Sequence, residues 1–452
     1  MSRNAASRWV AIPIALYFLH FAIGALGARF AIDDAMNLGF YWRRGWWRSL
    51  ADLGAFWSES YRPMAALFYL PIYHFFGMNP LPYRIAILSL VALNIFLSYR
   101  IAMRLTRSVA AATLTAVLVT AHVSMTPIYY NTSQIYDVLA FLFTALTLDL
   151  YMRSRERGGP GFAQGALIVA VYVAALNSKE IAVAGAIWIA AYELVLQKRP
   201  WKLTVPALLL ALTLAWTMTR TLGPHSLSTG SGYRLEVSAH SLLRNAEAYV
   251  NDLFFTERFD TATKLIVAWM LGTALCVVAR KRALWWAWIA AWASPLAVYF
   301  TAGPRVGASL YLPLLAVALW MSTAATVFLR RWPVREWSAV TLLAVLMVPP
   351  TLEGWNSRAG WLMREHRPVW SALEQLRDLP ARPAPHSTVL FLNNPFDDWD
   401  IWFMATLTWN DHTLDVQLAN KVKPPPDPAA FNWVLAFDGD RLRVVRSPSG
   451  GP

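Results

Sequence analysis

The sequence predicts a polytopic α-helical membrane protein with a small α/β domain at its C-terminal end. Three observations predict it. Apolar residues make up 57% of the 452, including 23 Trp, and mean hydropathy is +0.38. Apolar runs long enough to cross a bilayer recur as far as residue 351. Beyond that point the pattern changes to alternating helical and strand segments. The net charge of +13 does not mark a nucleic-acid surface, because Lys and Arg sit in short clusters between the apolar runs instead of forming one stripe. The single cysteine, Cys276, excludes a disulfide framework or a thiolate metal cluster within one chain.

A crossing helix needs about 20 apolar residues, and that window gives about eleven spans. They lie near 9–28, 83–103, 108–126, 134–152, 162–178, 180–197, 202–221, 262–279, 284–302, 308–329 and 336–351. The first is too long, and too closely followed by others, to read as a cleaved signal peptide. Basic residues near span ends stay cytoplasmic. Arg3 and Arg8 precede the first span, Arg100, Arg104 and Arg107 follow the second, and Arg153, Arg155 and Arg157 follow the fourth. Lys198, Arg199 and Lys202 follow the sixth, Arg280, Lys281 and Arg282 the eighth, and Arg330, Arg331 and Arg335 the tenth. All these clusters agree on a cytoplasmic N-terminus. An odd number of spans then puts residues 352–452 outside as a second domain after a transmembrane domain of 1–351.

The outer loops differ in length. After span one, "GFYWRRGWWRSLADLGAFW" interleaves aromatic residues with Arg and predicts a helix lying in the membrane interface. "SYRPMAALFYLPIYHFFG" is apolar but short and broken by Pro63 and Pro71, so it predicts a re-entrant or interfacial helix. Residues 223–260 form another outer loop with an amphipathic middle. In the tail, "RPVWSALEQLRDL" has helical spacing, "STVLFLNN" reads as a strand, and "FNWVLAFDGDRLRVVR" reads as a hairpin turning at Asp438, Gly439 and Asp440. "KPPPDP" reads as a rigid turn or linker.

Polar groups gather at the outer span ends. Asp33 and Asp34 follow span one directly, and Glu59 and Arg62 come later in that loop. Asn131, Gln134 and Asp137 lie between spans three and four, Lys179 and Glu180 between five and six, and Arg305 and Tyr311 at the start of span ten. Ionisable groups at the membrane boundary are costly unless paired or used.

In their order and membrane side these motifs resemble the GT-C superfamily of polytopic glycosyltransferases. The similarity is strongest to the branch of protein O-mannosyltransferases and their tetratricopeptide-bearing transmembrane relatives. It rests on the acidic pair after span one, "YRPM", the Asp opening span four, "SKE" and "RVGASLYLP", and it covers residues 9 to 330. The tetratricopeptide repeats are absent, and "TSQIYDVLA" keeps only the Asp, Leu and Ala of the relatives' "GRxDLLA". The resemblance implies inverting transfer of a sugar from a polyprenyl-phosphate carrier to a glycan, lipid or protein acceptor at the outer face of the inner membrane. A phosphate leaves as a stable anion, so such chemistry needs one carboxylate base and cations for the phosphate. Asp33 is then the expected base with Asp34 close behind, and Asp137 would orient the acceptor or raise the basicity of Asp33. Arg62, Lys179 and Arg305 are the expected phosphate ligands. Glu59, Glu180, Tyr311, Asn131 and Gln134 support them.

Plainer roles stand beside these. Asp33 and Asp34 suit a helix N-cap. Lys179 and Glu180 suit a mutual ion pair, and Arg62 could snorkel to headgroups. His20, His74 and His122 are isolated, which predicts packing instead of metal ligation, although a divalent cation held by Asp33, Asp34 and Asp137 is conceivable. Most Trp suit the aromatic belt, while Trp42, Trp46 and Trp47 could line a groove for lipid or sugar. "NNPFDDWDIWF" in the tail could hold an acceptor, or Asp397 and Asp398 could cap a helix. The competing functions are a lipid-linked sugar transporter or flippase and a noncatalytic assembly subunit. The first predicts charges and breaks at mid-membrane, where this chain has few.

Overall fold

In the computed structural model, residues 3–56, 62–198, 200–222, 234–255, 261–329, 333–396 and 400–448 are described. The chain opens with α1 (Arg3–Leu26), α2 (Ile32–Arg44), α3 (Trp46–Asp52) and α4 (Ala66–Phe76). A helical array follows: α5 (Pro80–Thr106), α6 (Val109–Thr120), α7 (Thr126–Tyr130), α8 (Ile135–Glu156), α9 (Phe162–Leu176), α10 (Ala184–Ala191) and α11 (Thr204–Leu222). Then come α12 (Ala239–Phe254), α13 (Thr261–Ala279), α14 (Arg282–Ala293), α15 (Leu296–Tyr299), α16 (Tyr311–Leu329) and α17 (Pro333–Glu365). The C-terminal part holds α18 (Arg367–Arg377), β1 (Thr388–Leu392), α19 (Asp400–Trp409), β2 (Asp415–Leu418), β3 (Trp433–Asp438) and β4 (Arg441–Arg446).

Helical structure occupies each of the expected spans. Among the described residues, four helical segments are long and apolar enough to cross a membrane. They are Pro80–Thr106, Thr132–Glu156, Thr204–Leu222 and Gly307–Phe328, and α6 with its bent continuation to Tyr130 makes up to five. Two of the other expected spans are interrupted. The segment expected to span 180–197 starts as a 3-10 turn at Glu180 and ends in a π turn from Tyr192 to Leu196. The one expected over 284–302 breaks at Ser294 and Pro295, because Pro295 has no N–H to continue the ladder.

Local chemistry sets the turns. The Asn79 side chain caps α5 by accepting the Leu81 N–H at 3.1 Å. At the other end Arg107 adopts a left-handed φ of 55°, and Ser108 caps α6 through the Ala111 N–H at 3.2 Å. Basic groups from two connections meet here. Arg100, Arg104 and Arg153 surround the buried Asp149 carboxylate at 3.0–3.1 Å, and Arg155 pairs with buried Glu193 at 2.8 Å. α8 thus carries Asp149 at one end and Asp137 at the other, roughly 18 Å apart along its axis.

The expected interfacial helix is two helices, α2 and α3, broken at Gly45 with φ 75°. The Pro-interrupted segment is α4, only 11 residues long and packed against the rest of the core through Phe68, Tyr69 and Tyr73. In the tail, β2-β1-β3-β4 form one sheet in which β1 lies parallel to β2 and β3. β3 and β4 make the expected antiparallel hairpin, with Gly439 at φ 57°. α19 lies on α2, where Gly39 is required: a Cβ there would come 2.2 Å from the Phe403 ring. The expected division at 351/352 falls inside α17, which runs unbroken to Glu365.

Candidate active site

α2 begins at Ile32 with Ala31 as its N-cap, so Asp33 and Asp34 sit in its first turn at the positive end of the helix dipole. Consecutive positions on a helix face different ways, and the two acids part accordingly. Asp34 turns inward and is 1% exposed. Its Oδ2 accepts the Ala31 N–H at 2.7 Å and lies 3.9 Å from Nη2 of the buried Arg84. Arg84 in turn donates to the carbonyls of Ala28 and Arg29 at 3.2 and 2.8 Å. Burial raises the Asp34 carboxyl to about 6 even though Arg84 and the Ala31 N–H favour its charge. The capping role therefore belongs to Asp34.

Asp33 instead lines a cavity of about 390 Å³. The protein mass around it lifts its carboxyl above the usual range by desolvation, which makes it a stronger base. Around the same space stand Arg62, Lys179, Arg305 and Arg358, with Asp137, Glu180 and Gln134. Lys179 Nζ donates to both Asp137 oxygens at 2.7 Å and reaches Ser309 Oγ at 3.4 Å. Arg62 Nη2 donates to both Glu180 oxygens at 3.1 Å, and its guanidinium lies 4.9 Å from the Tyr136 ring centroid. Its carbonyl accepts the Tyr41 hydroxyl at 2.7 Å.

The mutual pair expected of Lys179 and Glu180 is not formed. Lys179 is extended, φ −163° and ψ 152°, ahead of the 3-10 turn that starts at Glu180, and each of the two takes its ion-pair partner from another loop. Asp137 is likewise held by Lys179, so its charge is compensated and does not press on Asp33. The suggested cation site made of Asp33, Asp34 and Asp137 does not assemble, since Asp34 faces Arg84. Among the described residues no three His, Cys, Asp or Glu side chains gather as metal ligands.

Of the supporting residues, Asn131 caps the turn before α8, its Oδ1 accepting the Ser133 N–H at 2.9 Å, and it faces a neighbouring cavity. Tyr311 is buried and stacked on Phe141, with ring centroids 4.3 Å apart, away from the site. Glu59, Asp397 and Asp398 lie outside the described residues. His122 is packed as expected, stacked on Phe255 with its Nε2 3.3 Å from the Leu253 carbonyl. Trp42 and Trp46 line a separate cavity of about 920 Å³, whereas Trp47 is 87% exposed. Sequence reasoning missed Arg358 and Ser309. Arg358 lies on α17 beyond the last expected span, where the sequence carries no mark that the helix continues.

No protein-family model matches the chain, and no curated protein matches it. Among solved structures it resembles ArnT from Cupriavidus metallidurans, a crystal structure bound to undecaprenyl phosphate. The match covers 91% of this chain and 86% of that one, with a TM-score of 0.52 and 14% identity. The two share a fold. The helical array with a small C-terminal sheet is therefore an ArnT-like architecture.

Proposed function

We propose that the protein is a membrane glycosyltransferase that moves a sugar from a polyprenyl-phosphate donor to an acceptor at the outer, periplasmic face of the inner membrane, with inversion. The observation that carries this reading is the cavity in which one solvent-reaching carboxylate, Asp33, faces Arg62, Lys179, Arg305 and Arg358. The ArnT structure, bound to undecaprenyl phosphate, supports the same ligand class. The order of the motifs favours a relative of the O-mannosyltransferase branch, with a cytoplasmic N-terminus, eleven spans and an outer C-terminal domain.

In this reading Asp33 accepts the proton of the acceptor hydroxyl as its oxygen attacks the anomeric carbon. The carbon–oxygen bond to the phosphate breaks, and its electron pair stays with the phosphate. Arg305 and Arg358 meet the developing anion, and Arg62 and Lys179, each fixed by a carboxylate, are already in place for it without reorganisation. Asp137 acts as a positioning residue for Lys179. Asp34 and Arg84 hold the first turn of α2, and with it Asp33. Incubating the purified protein with labelled polyprenyl-phosphate sugars and identifying the labelled product tests the reading. A donor that is bound but never consumed, with any acceptor fraction from the same membranes, counts against it.

A further inference from the structure

Asp33 belongs to two cavities. Besides the cationic one, it lines a second of about 410 Å³ between the start of α2, the end of α17 and the sheet. The charge there is reversed. Asp33, Glu365 and Asp440 face this space, and no Lys or Arg is among the described residues that line it, in a chain whose net charge is +13. Burial, with the nearby Asp33 carboxylate adding to it, raises the Glu365 carboxyl above its usual range. His366 is 4% exposed, its Nδ1 has no partner among the described residues, and burial lowers its pKa to about 4, so it adds no positive charge at neutral pH. Phe396 and Phe437, edge to face at 5.7 Å, give the wall an apolar surface.

We propose that this second cavity holds the acceptor, and that the acceptor is a hydroxyl-bearing saccharide carrying positive charge, such as an amino sugar. The inference rests on the glycosyltransferase reading. If the donor phosphate occupies the side lined by four cations, the acceptor must reach Asp33 from elsewhere, and the second cavity is a space that Asp33 also lines. An acidic acceptor would meet three carboxylates, whereas an ammonium group would be paired by them. Aromatic walls with a few converging polar groups are the usual form of a small-ligand site. The C-terminal sheet supplies Phe437 and the turn residue Asp440, so that domain selects the acceptor. The reaction balances, because the acceptor hydroxyl loses its proton to Asp33 and its oxygen replaces the phosphate at the anomeric carbon.

Calorimetric titration of the full chain in detergent tests this, with a glucosamine trisaccharide, its N-acetylated form and a galacturonate trisaccharide as probes. A separate titration uses decaprenyl phosphate. The expected result is binding of the glucosamine trisaccharide about tenfold or more tighter than of the neutral one, and no binding of the acidic one. Glu365→Gln with Asp440→Asn should erase that preference and leave decaprenyl phosphate binding unchanged. Both positions are exposed, so the variant should fold. Equal binding of the three saccharides, tightest binding of the galacturonate, or a preference that survives the double variant overturns the proposal. Loss of the lipid titration alone would instead remove the donor site, and with it the transferase reading.

Discussion

Lys179 and Glu180 are neighbours in sequence, yet their closest ion pairs are made to other residues. Their partners, Asp137 and Arg62, come from other loops, and adjacency along the chain could not reveal them. The consequence is testable. Asp137 is 2% exposed, so Lys179→Met strands a buried carboxylate and should cost about 3–5 kcal/mol, read as a lower Tm in detergent. Lys179→Met with Asp137→Leu should recover most of that stability without recovering transfer. Pairing Lys179→Met with Glu180→Leu should recover neither. Asp34 gives a second residue-scale test. Its folded pKa of about 6 is raised above the unfolded value, so its ionisation favours the unfolded chain. Stability from this group is present below about pH 4 and is lost as pH rises to about 6. The decline of Tm across that window should flatten in Asp34→Asn. An unchanged slope in that variant would place the titration elsewhere.

At the scale of elements, long apolar runs made the helices legible, because crossing a bilayer leaves little freedom in length or composition. The hairpin was legible from Asp438, Gly439 and Asp440. β2, a four-residue strand with no turn signal of its own, was not, nor was the passage of α17 beyond residue 351, since a helix carries no mark where it leaves the membrane. The contact of α19 with α2 was invisible too, because a glycine that admits a distant ring resembles any other glycine. That contact predicts its own failure. Gly39→Val drives a side chain into Phe403 and should cost roughly 1–3 kcal/mol by overpacking, with faster proteolysis of the C-terminal part. Phe403→Ala in the same chain should relieve the clash. If Gly39→Val alone leaves both stability and proteolysis unchanged, α19 does not rest on α2.

Across the whole molecule, the alternation of basic clusters predicted sidedness. Two segments carry groups of both kinds: α8 has Asp137 near its start and Asp149, with its arginines, further along, and the 180–197 segment runs from Glu180 to Glu193. The number of crossings and the orientation in the membrane follow from that alternation as expectations. Single-cysteine labelling in a Cys276→Ser background should reach positions 40 and 420 from outside and position 155 only after permeabilisation. Outside access at 155 would reverse the arrangement. The roles within the cavity were only half legible: residue types and loop order pointed to Asp33, while burial alone separated it from Asp34. The most direct test of the central claim is therefore transfer of label from a polyprenyl-phosphate sugar by Asp33→Asn beside the unaltered protein, with decaprenyl phosphate binding measured on both. The account predicts a fall in transfer of about a hundredfold or more with lipid binding retained. Transfer by Asp33→Asn at the unaltered rate would contradict it.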